Sequence, residues 1–296
     1  MAIQSLASYA MPGPDSFRIN KVNWSFAPER AALLIHDMQD YFVGFYGEEN
    51  PLVDQLISNI RRLRAFFRAH GAPVIYTAQP IEQSDEDRGL LNDMWGSGLN
   101  AQPHRRNIVQ PLLPDAGDTV LTKWRYSAFK RSRLAEMMKE MGRDQLAICG
   151  VYGHIGCLTT ALDAFMHDIK PFMIADAIGD FSLEDHLMTL NYVAGRCGMV
   201  VGVDDVLAAR KNAHSAPLTR EGLKKQLLSA LDVEESEFDP DENLIDYGLD
   251  SVRVMMLVTE WRKLGIDVGF DELAKKPTLN GWWDIIDRRL AAVVSA

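Results

Sequence analysis

Within the first two hundred residues, short runs of aliphatic and β-branched residues recur, separated by longer stretches whose apolar residues lie three and four apart. This alternation constrains the fold more than any other feature, because strands that alternate with helices close into a parallel sheet covered on both faces. The expected strands are Ala31 to His36, Pro73 to Ala78, Thr119 to Trp124, Gln145 to Tyr152, Pro171 to Asp176 and Met199 to Val203. Between them, Pro51 to His70 and Arg131 to Met141 read as helices, with Gly71 and Gly142 where helix C-caps belong. The expected fold class is therefore α/β, a doubly wound parallel sheet. Ligands bind such sheets beyond the carboxyl ends of the strands, which directs attention to Asp37, Gln79, Lys123 and the segment Tyr152 to Gly156.

The alternation stops after Val206. A polar stretch with small residues and a proline, residues 208–217, reads as a linker between a first domain, 1–207, and a second, 218–296. A length of 296 residues fits one domain of ordinary size plus a small one. The second domain reads as a small four-helix bundle. Its helices run from Leu218 to about Leu231, from Ser251 to about Leu264, as a short turn near Leu273, and from about Asn280.

Charge and composition exclude several function classes. The net charge is -10, and residues 215–296 hold 16 Asp and Glu against 10 Lys and Arg, so a nucleic-acid partner, which needs clustered cations, is not expected. No apolar run approaches the ~18 residues a membrane span requires, and residues 1–17 show no secretory pattern, so a cytoplasmic location is expected. Cys149, Cys157 and Cys197 match neither a zinc site nor a disulfide framework and read as reduced thiols.

In the second domain, Asp250 stands where it can cap the helix that Ser251 begins, leaving an exposed hydroxyl at a helix N-terminus. Unpaired N–H groups and the helix dipole stabilise a phosphodiester at such a position. An isolated Asp-Ser pair would be only a capped helix start. Here, Asp-Glu-Asn-Leu-Ile-Asp-Tyr-Gly-Leu-Asp-Ser251-Val-Arg follows an acidic stretch, and Asp232 to Asp250 holds nine acidic residues and no Lys or Arg. That segment resembles the phosphopantetheine site of acyl, peptidyl and aryl carrier proteins. The resemblance implies a 4'-phosphopantetheine arm on Ser251, added by a phosphopantetheinyl transferase, and a partner-docking surface that includes Met255 and Phe270.

In the first domain, Ala31-Ala-Leu-Leu-Ile-His-Asp-Met-Gln-Asp-Tyr-Phe42, Leu121-Thr-Lys-Trp-Arg-Tyr-Ser-Ala-Phe129 and Gly150-Val-Tyr-Gly-His-Ile-Gly-Cys-Leu-Thr-Thr-Ala-Leu-Asp-Ala-Phe165 follow one another. Together they resemble the isochorismatase-like hydrolase superfamily. Many of its members are amidases with an Asp, Lys and Cys triad, but the cysteine's position is Gly156 here. Cys157 is one residue late, and a one-residue offset on a helix turns a side chain by about 100 degrees, so Cys157 is expected to pack. Loss of the thiol with Asp37 and Lys123 retained resembles the isochorismatase branch, which hydrolyses a vinyl ether. The resemblance implies Asp37, Lys123 and Gly156 as catalytic positions, and Phe42, Gln79, Arg88, Trp95 and Tyr152 as substrate-binding ones. The resemblance also implies no catalytic metal, since the Asp-x-His segment with which nicotinamidases of the superfamily bind one is absent from the stretch Gln79 to Arg88, which has no histidine.

An isochorismatase domain joined to a carrier domain resembles the bifunctional isochorismate lyase and aryl carrier proteins of catechol siderophore synthesis. That implies hydrolysis of isochorismate to 2,3-dihydro-2,3-dihydroxybenzoate and pyruvate, and carriage of 2,3-dihydroxybenzoate for nonribosomal peptide synthesis. Implied partners are a 2,3-dihydroxybenzoate-AMP ligase, a downstream peptide-synthetase condensation domain and a second copy in a homodimer. Three alternatives stand beside it: a cysteine amidohydrolase using Cys157, a non-catalytic scaffold, and hydrolysis of the 2-amino analogue of isochorismate. Taken singly, Asp37 reads as a cap, Lys123 and Arg88 as solvated charges, and Phe42 and Trp95 as core. His36 and His154 read as hydrogen-bonded packing residues.

Overall fold

The computed structural model describes residues 4–13, 16–17, 19–209, 218–231, 233, 237–263 and 266–294. Contacts divide the chain into two compact units, Met1–Lys211 and Asn212–Ala296.

The first unit is built on six strands: β1 Ala31–His36, β2 Val74–Ala78, β3 Thr119–Thr122, β4 Gln145–Val151, β5 Lys170–Gly179 and β6 Met199–Val201. They pair in the order β3-β2-β1-β4-β5-β6, every pair parallel. Four of its helices lie in the connections between strands, α1 Pro51–Ala69, α2 Leu134–Glu140, α3 Leu158–Met166 and α4 Leu183–Arg196, and α5 Val203–Ala208 follows β6. Successive side chains of a strand point to opposite faces, and two cores result. Leu33 and Ile35 of β1 join Leu56, Ile60 and Phe67 of α1 on one face. Ala32 and Leu34 join Ala161, Leu190 and Val193 from α3 and α4 on the other. All six residues of β1 are buried, as both-face coverage requires.

The strand order reverses direction between β1 and β4, and the two diverging connections leave a crevice at their carboxyl ends. Asp37 follows β1 there, and Tyr152 follows β4. The expected α/β class and all six strands are present, with shifted ends. β3 stops at Thr122, so Lys123 lies just beyond it, tied by its N–H to the Ala78 carbonyl at 2.9 Å. β5 runs on to Gly179, past the half-buried Asp176. Asp176 does not interrupt the strand because its carboxylate accepts the Val203 N–H at 2.8 Å.

The second unit holds α6 Arg220–Leu231, α7 Ser251–Lys263, α8 Phe270–Ala274 and α9 Leu279–Val294 around Leu223, Leu227, Val258, Trp261, Leu273, Trp282 and Ile286. The expected linker falls, from residue 210 onward, outside the described residues, as does the expected helix end at Leu264. Among the described residues no helix is long and apolar enough to cross a membrane.

Candidate functional site

The eight first-domain positions singled out in the sequence come together. Asp37, Phe42, Gln79, Arg88, Trp95, Lys123, Tyr152 and Gly156 all line one cavity at the carboxyl ends of β1, β2 and β4.

Its polar centre is a buried ion pair. Lys123 Nζ lies 2.8 Å from Asp37 Oδ2, and both side chains are almost wholly buried. The Thr77 hydroxyl donates to Asp37 Oδ1 at 2.6 Å and accepts the Asp37 N–H at 3.1 Å. Asp37 adopts φ 48, a left-handed conformation uncommon for a residue with a side chain. Burial, the largest single influence, pushes its carboxyl up, but Lys123, His36 and the two hydrogen bonds together hold it below the ordinary carboxylate range. Asp37 is thus an ionised carboxylate at neutral pH before any ligand arrives.

Arg88 supplies a second cation. It is buried, its Nε donates to the Gly96 carbonyl at 2.6 Å, and its Nη1 is buried with no protein partner. Among the described residues no carboxylate forms an ion pair with it. A buried guanidinium with an orphan N–H in a cavity wall is prepared for an anionic ligand. It stands on the short helix Asp85–Arg88, held through Asp87: Arg131 Nη2 lies 2.8 Å from its carboxylate, and Arg125 donates to its carbonyl at 2.7 Å.

The remaining wall is aromatic. Trp95 Nε1 donates to the Tyr126 hydroxyl at 2.8 Å, and the rings of Phe42 and Tyr152 meet edge to face with centroids 5.9 Å apart. The Tyr152 hydroxyl donates to the Phe42 carbonyl at 2.6 Å, so Tyr152 contributes its ring to the wall while its hydroxyl is already engaged. Gln79 is held from behind by Gln39, whose side chain bonds both the Gln79 N–H and its carbonyl, at 2.8 and 3.0 Å.

Sequence reasoning missed Tyr41, Leu91, Gly98, Tyr126 and His36, which also line the cavity. Tyr126 lies inside the segment already singled out around Lys123, and a polar-tipped aromatic beside a candidate lysine was the available signal. His36 is hydrogen-bonded as expected, its Nδ1 donating to the Val151 carbonyl at 2.7 Å, yet it is part of the wall as well. His154 instead pairs with the buried Asp180. Cys157 is fully buried in the core under α3, and burial first of all pushes its thiol well above the usual range. All three cysteines are free and buried. Among the described residues, no cluster of three or more His, Cys, Asp or Glu side chains is arranged to hold a metal ion.

In the second unit Ser251 is exposed as the first residue of α7, and Asp250 Oδ1 accepts the Arg253 N–H at 2.8 Å. A hydroxyl open to solvent at a capped helix start fits a phosphopantetheine attachment point. Val252, Met255 and Met256, which follow it on α7, are exposed, and so is Phe270 at the start of α8.

A doubly wound sheet with a buried Asp and Lys pair at its switch point, followed by a helical unit with an exposed serine at a helix start, defines a hydrolase joined to a carrier. Residues 31–205 match the model of the isochorismatase domain, and the chain belongs to that family. Residues 221–286 match the phosphopantetheine attachment site. The chain is 56% identical to enterobactin synthase component B of Escherichia coli over 290 residues, 98% of this chain and 100% of the relative. It is 46% identical to an isochorismatase of Bacillus subtilis over 306 residues, 99% of this chain and 98% of that one. The fold resembles a cysteine hydrolase from Pseudomonas syringae, with a TM-score of 0.58 and 23% identity over 63% of this chain and 94% of that structure.

Proposed function

We propose that the first domain, residues 1–207, hydrolyses the enol ether of isochorismate to 2,3-dihydro-2,3-dihydroxybenzoate and pyruvate. The second, residues 218–296 beyond a linker at 208–217, carries 2,3-dihydroxybenzoate for siderophore synthesis. The observation that carries the first half is the pairing of a buried carboxylate on Lys123 with an unsatisfied Arg88 guanidinium in one aromatic-walled cavity that has no thiol in its wall. Near full-length likeness to enterobactin synthase component B supports the assignment.

An enol ether is cleaved by putting a proton on its methylene carbon, which yields an oxocarbenium ion that water traps. Asp37 is the acid. The two substrate carboxylates, drawn to Arg88 and Lys123, bring negative charge beside Asp37 and raise its pKa, so that it takes up the proton it delivers. Water adds to the cation and returns a proton to Asp37. The hemiketal then collapses, its C–O bond breaking to leave the ring hydroxyl and the keto group of pyruvate. Phe42, Trp95 and Tyr152 exclude bulk water, Gln79 orients the ring hydroxyl, and Gly156, with no side chain, admits the His36 ring to the cavity wall.

A 4'-phosphopantetheine arm on Ser251 supplies a terminal thiol on which an aryl acid is held as a thioester. The acidic stretch before Ser251 and the exposed Met255 and Phe270 form the face presented to a phosphopantetheinyl transferase, a 2,3-dihydroxybenzoate-AMP ligase and a condensation domain. The chain works as a homodimer in the cytoplasm, where coenzyme A is available. Incubation with isochorismate tests the first half: equal yields of pyruvate and dihydrodiol are expected from the parent chain and from Cys157→Ala. No pyruvate would overturn it. Incubation with coenzyme A and a transferase tests the second: one arm on the Ser251 peptide is expected, and an arm elsewhere or none would overturn that assignment.

A further inference from the structure

Position 156 stands on the first turn after β4, in the wall of the cavity that holds Asp37 and Lys123. It is where a side-chain nucleophile would meet a bound ligand, and it is glycine. A Cβ built there would overlap His36 Cε1 and lie 2.8 Å from Nε2 and 3.1 Å from Nδ1. Its three nearest atoms all belong to the imidazole.

The ring cannot swing away. His36 is fully buried, and its Nδ1–H donates to the Val151 carbonyl at 2.7 Å. Its backbone is pressed against Gly150, its partner in the β1–β4 register. A Cβ at Gly150, whose φ is +108, would lie 2.7 Å from His36 N and 2.9 Å from His36 C. Two glycines of one connection thus accommodate one histidine, Gly150 its main chain and Gly156 its ring. Because Nδ1 carries the proton given to Val151, Nε2 is an acceptor, and it is buried without a protein partner.

We propose that His36 is the specificity-determining residue that commits this pocket to attack by water: its imidazole fills the volume a side chain at position 156 would need, so no nucleophile can be carried there. The proposal rests on the ether-hydrolysis reading, in which water is the nucleophile. It adds that the absence of a thiol is enforced by a neighbour, since close-packed interiors do not absorb an added methyl group next to a fixed ring.

The test is a pair of double-mutant cycles in the full chain: His36→Ala with Gly156→Ala, and His36→Ala with Gly156→Cys. Melting temperature, pyruvate release, and iodoacetamide labelling of residue 156 located by peptide mass are the readouts. Either substitution at 156 alone is expected to lower the melting temperature of the first unit by roughly 2–10 °C. Adding His36→Ala is expected to recover part of that loss, so that each double variant melts above its single 156 variant. The thiol introduced at position 156 is expected to label at least about tenfold faster in the double variant than in Gly156→Cys alone, with Cys149, Cys157 and Cys197 as buried controls. If His36→Ala fails to fold, His36→Val, which suits a strand end, replaces it in both cycles. Additive melting losses, or a Gly156→Cys variant that melts like the parent and labels as fast as the double, would overturn the proposal. Pyruvate release by the parent chain is scored separately. Its absence would sink the ether-hydrolysis reading, while the melting and labelling cycles still decide the steric claim.

Discussion

Replacing Lys123 with Met removes one half of the buried pair and leaves Asp37 with only the Thr77 hydroxyl on its oxygens. Both partners are almost fully buried, so the remaining carboxylate keeps only the Thr77 hydroxyl and the imidazole of His36, 3.7 Å away, and breaking such a pair costs about 3–5 kcal/mol. For a unit of this size each kcal/mol moves the melting temperature by about 2–4 °C, so a fall of roughly 6–20 °C is expected near neutral pH. The pH dependence has a definite sign. In the parent, Asp37 titrates below its unfolded value, so its contribution is fully present above that value and is lost as the pH falls through the folded one. In Lys123→Met, burial, the largest influence on Asp37, is opposed only by His36 and the Thr77 hydrogen bond, and is expected to raise the folded pKa above the unfolded one, so stability is greatest in acid and is lost as the pH rises. The gap between variant and parent should therefore widen from pH 4 to pH 8. Calorimetry, which separates the transitions of the two units, is the assay, with Asp37→Asn/Lys123→Met as the companion that removes both charges and recovers most of the loss. A Lys123→Met chain that melts within about 2 °C of the parent at every pH would refute the reasoning.

Arg88→Met should raise KM by roughly 10- to 150-fold, the worth of a charge-assisted hydrogen bond to a buried carboxylate, with a smaller effect on kcat; steady-state pyruvate release measures both, and an unchanged KM would show that Arg88 does not hold the ligand. Cys157→Ala should keep pyruvate release within about threefold, because a fully buried, protonated thiol has no part in the chemistry. Asp250→Ala removes the acceptor for the Arg253 N–H and should destabilise the second unit by about 0.5–2 kcal/mol in calorimetry while leaving pyruvate release unchanged.

The sheet was legible in the sequence because buried parallel strands are continuous aliphatic runs, and β1 is buried at every position. Strand ends were less so. The far half of β5 was hidden by Asp176, whose polarity reads as a break until the Val203 N–H that satisfies it is known. Asp37, Lys123 and the turn at Gly156 were legible because a doubly wound sheet places its ligand at strand ends. The segment carrying Arg88 and Trp95 folds into short helices without strong periodicity, and nothing local reveals that the Trp95 indole bonds Tyr126 across the cavity. The relation between His36 and Gly156 was invisible for a different reason. It is a packing relation between residues 120 positions apart, and neither residue type announces the other. In the second unit, the capped start at Ser251 was readable because Asp250 acts on its own neighbours, and local hydrogen bonds leave a local signature.

The claim on which the catalytic account turns is that the Asp37 carboxyl delivers the proton that breaks the enol ether. Single-turnover pyruvate release by the parent chain and by Asp37→Asn, measured at saturating isochorismate, tests it most directly. Asparagine keeps the size and the Thr77 hydrogen bond but has no acidic proton, so the rate should fall by roughly 10²–10⁴-fold, the ordinary contribution of a positioned acid, while arm loading on Ser251 is unaffected. A variant that releases pyruvate within about threefold of the parent would contradict the account, because a positioned acid contributes far more than that.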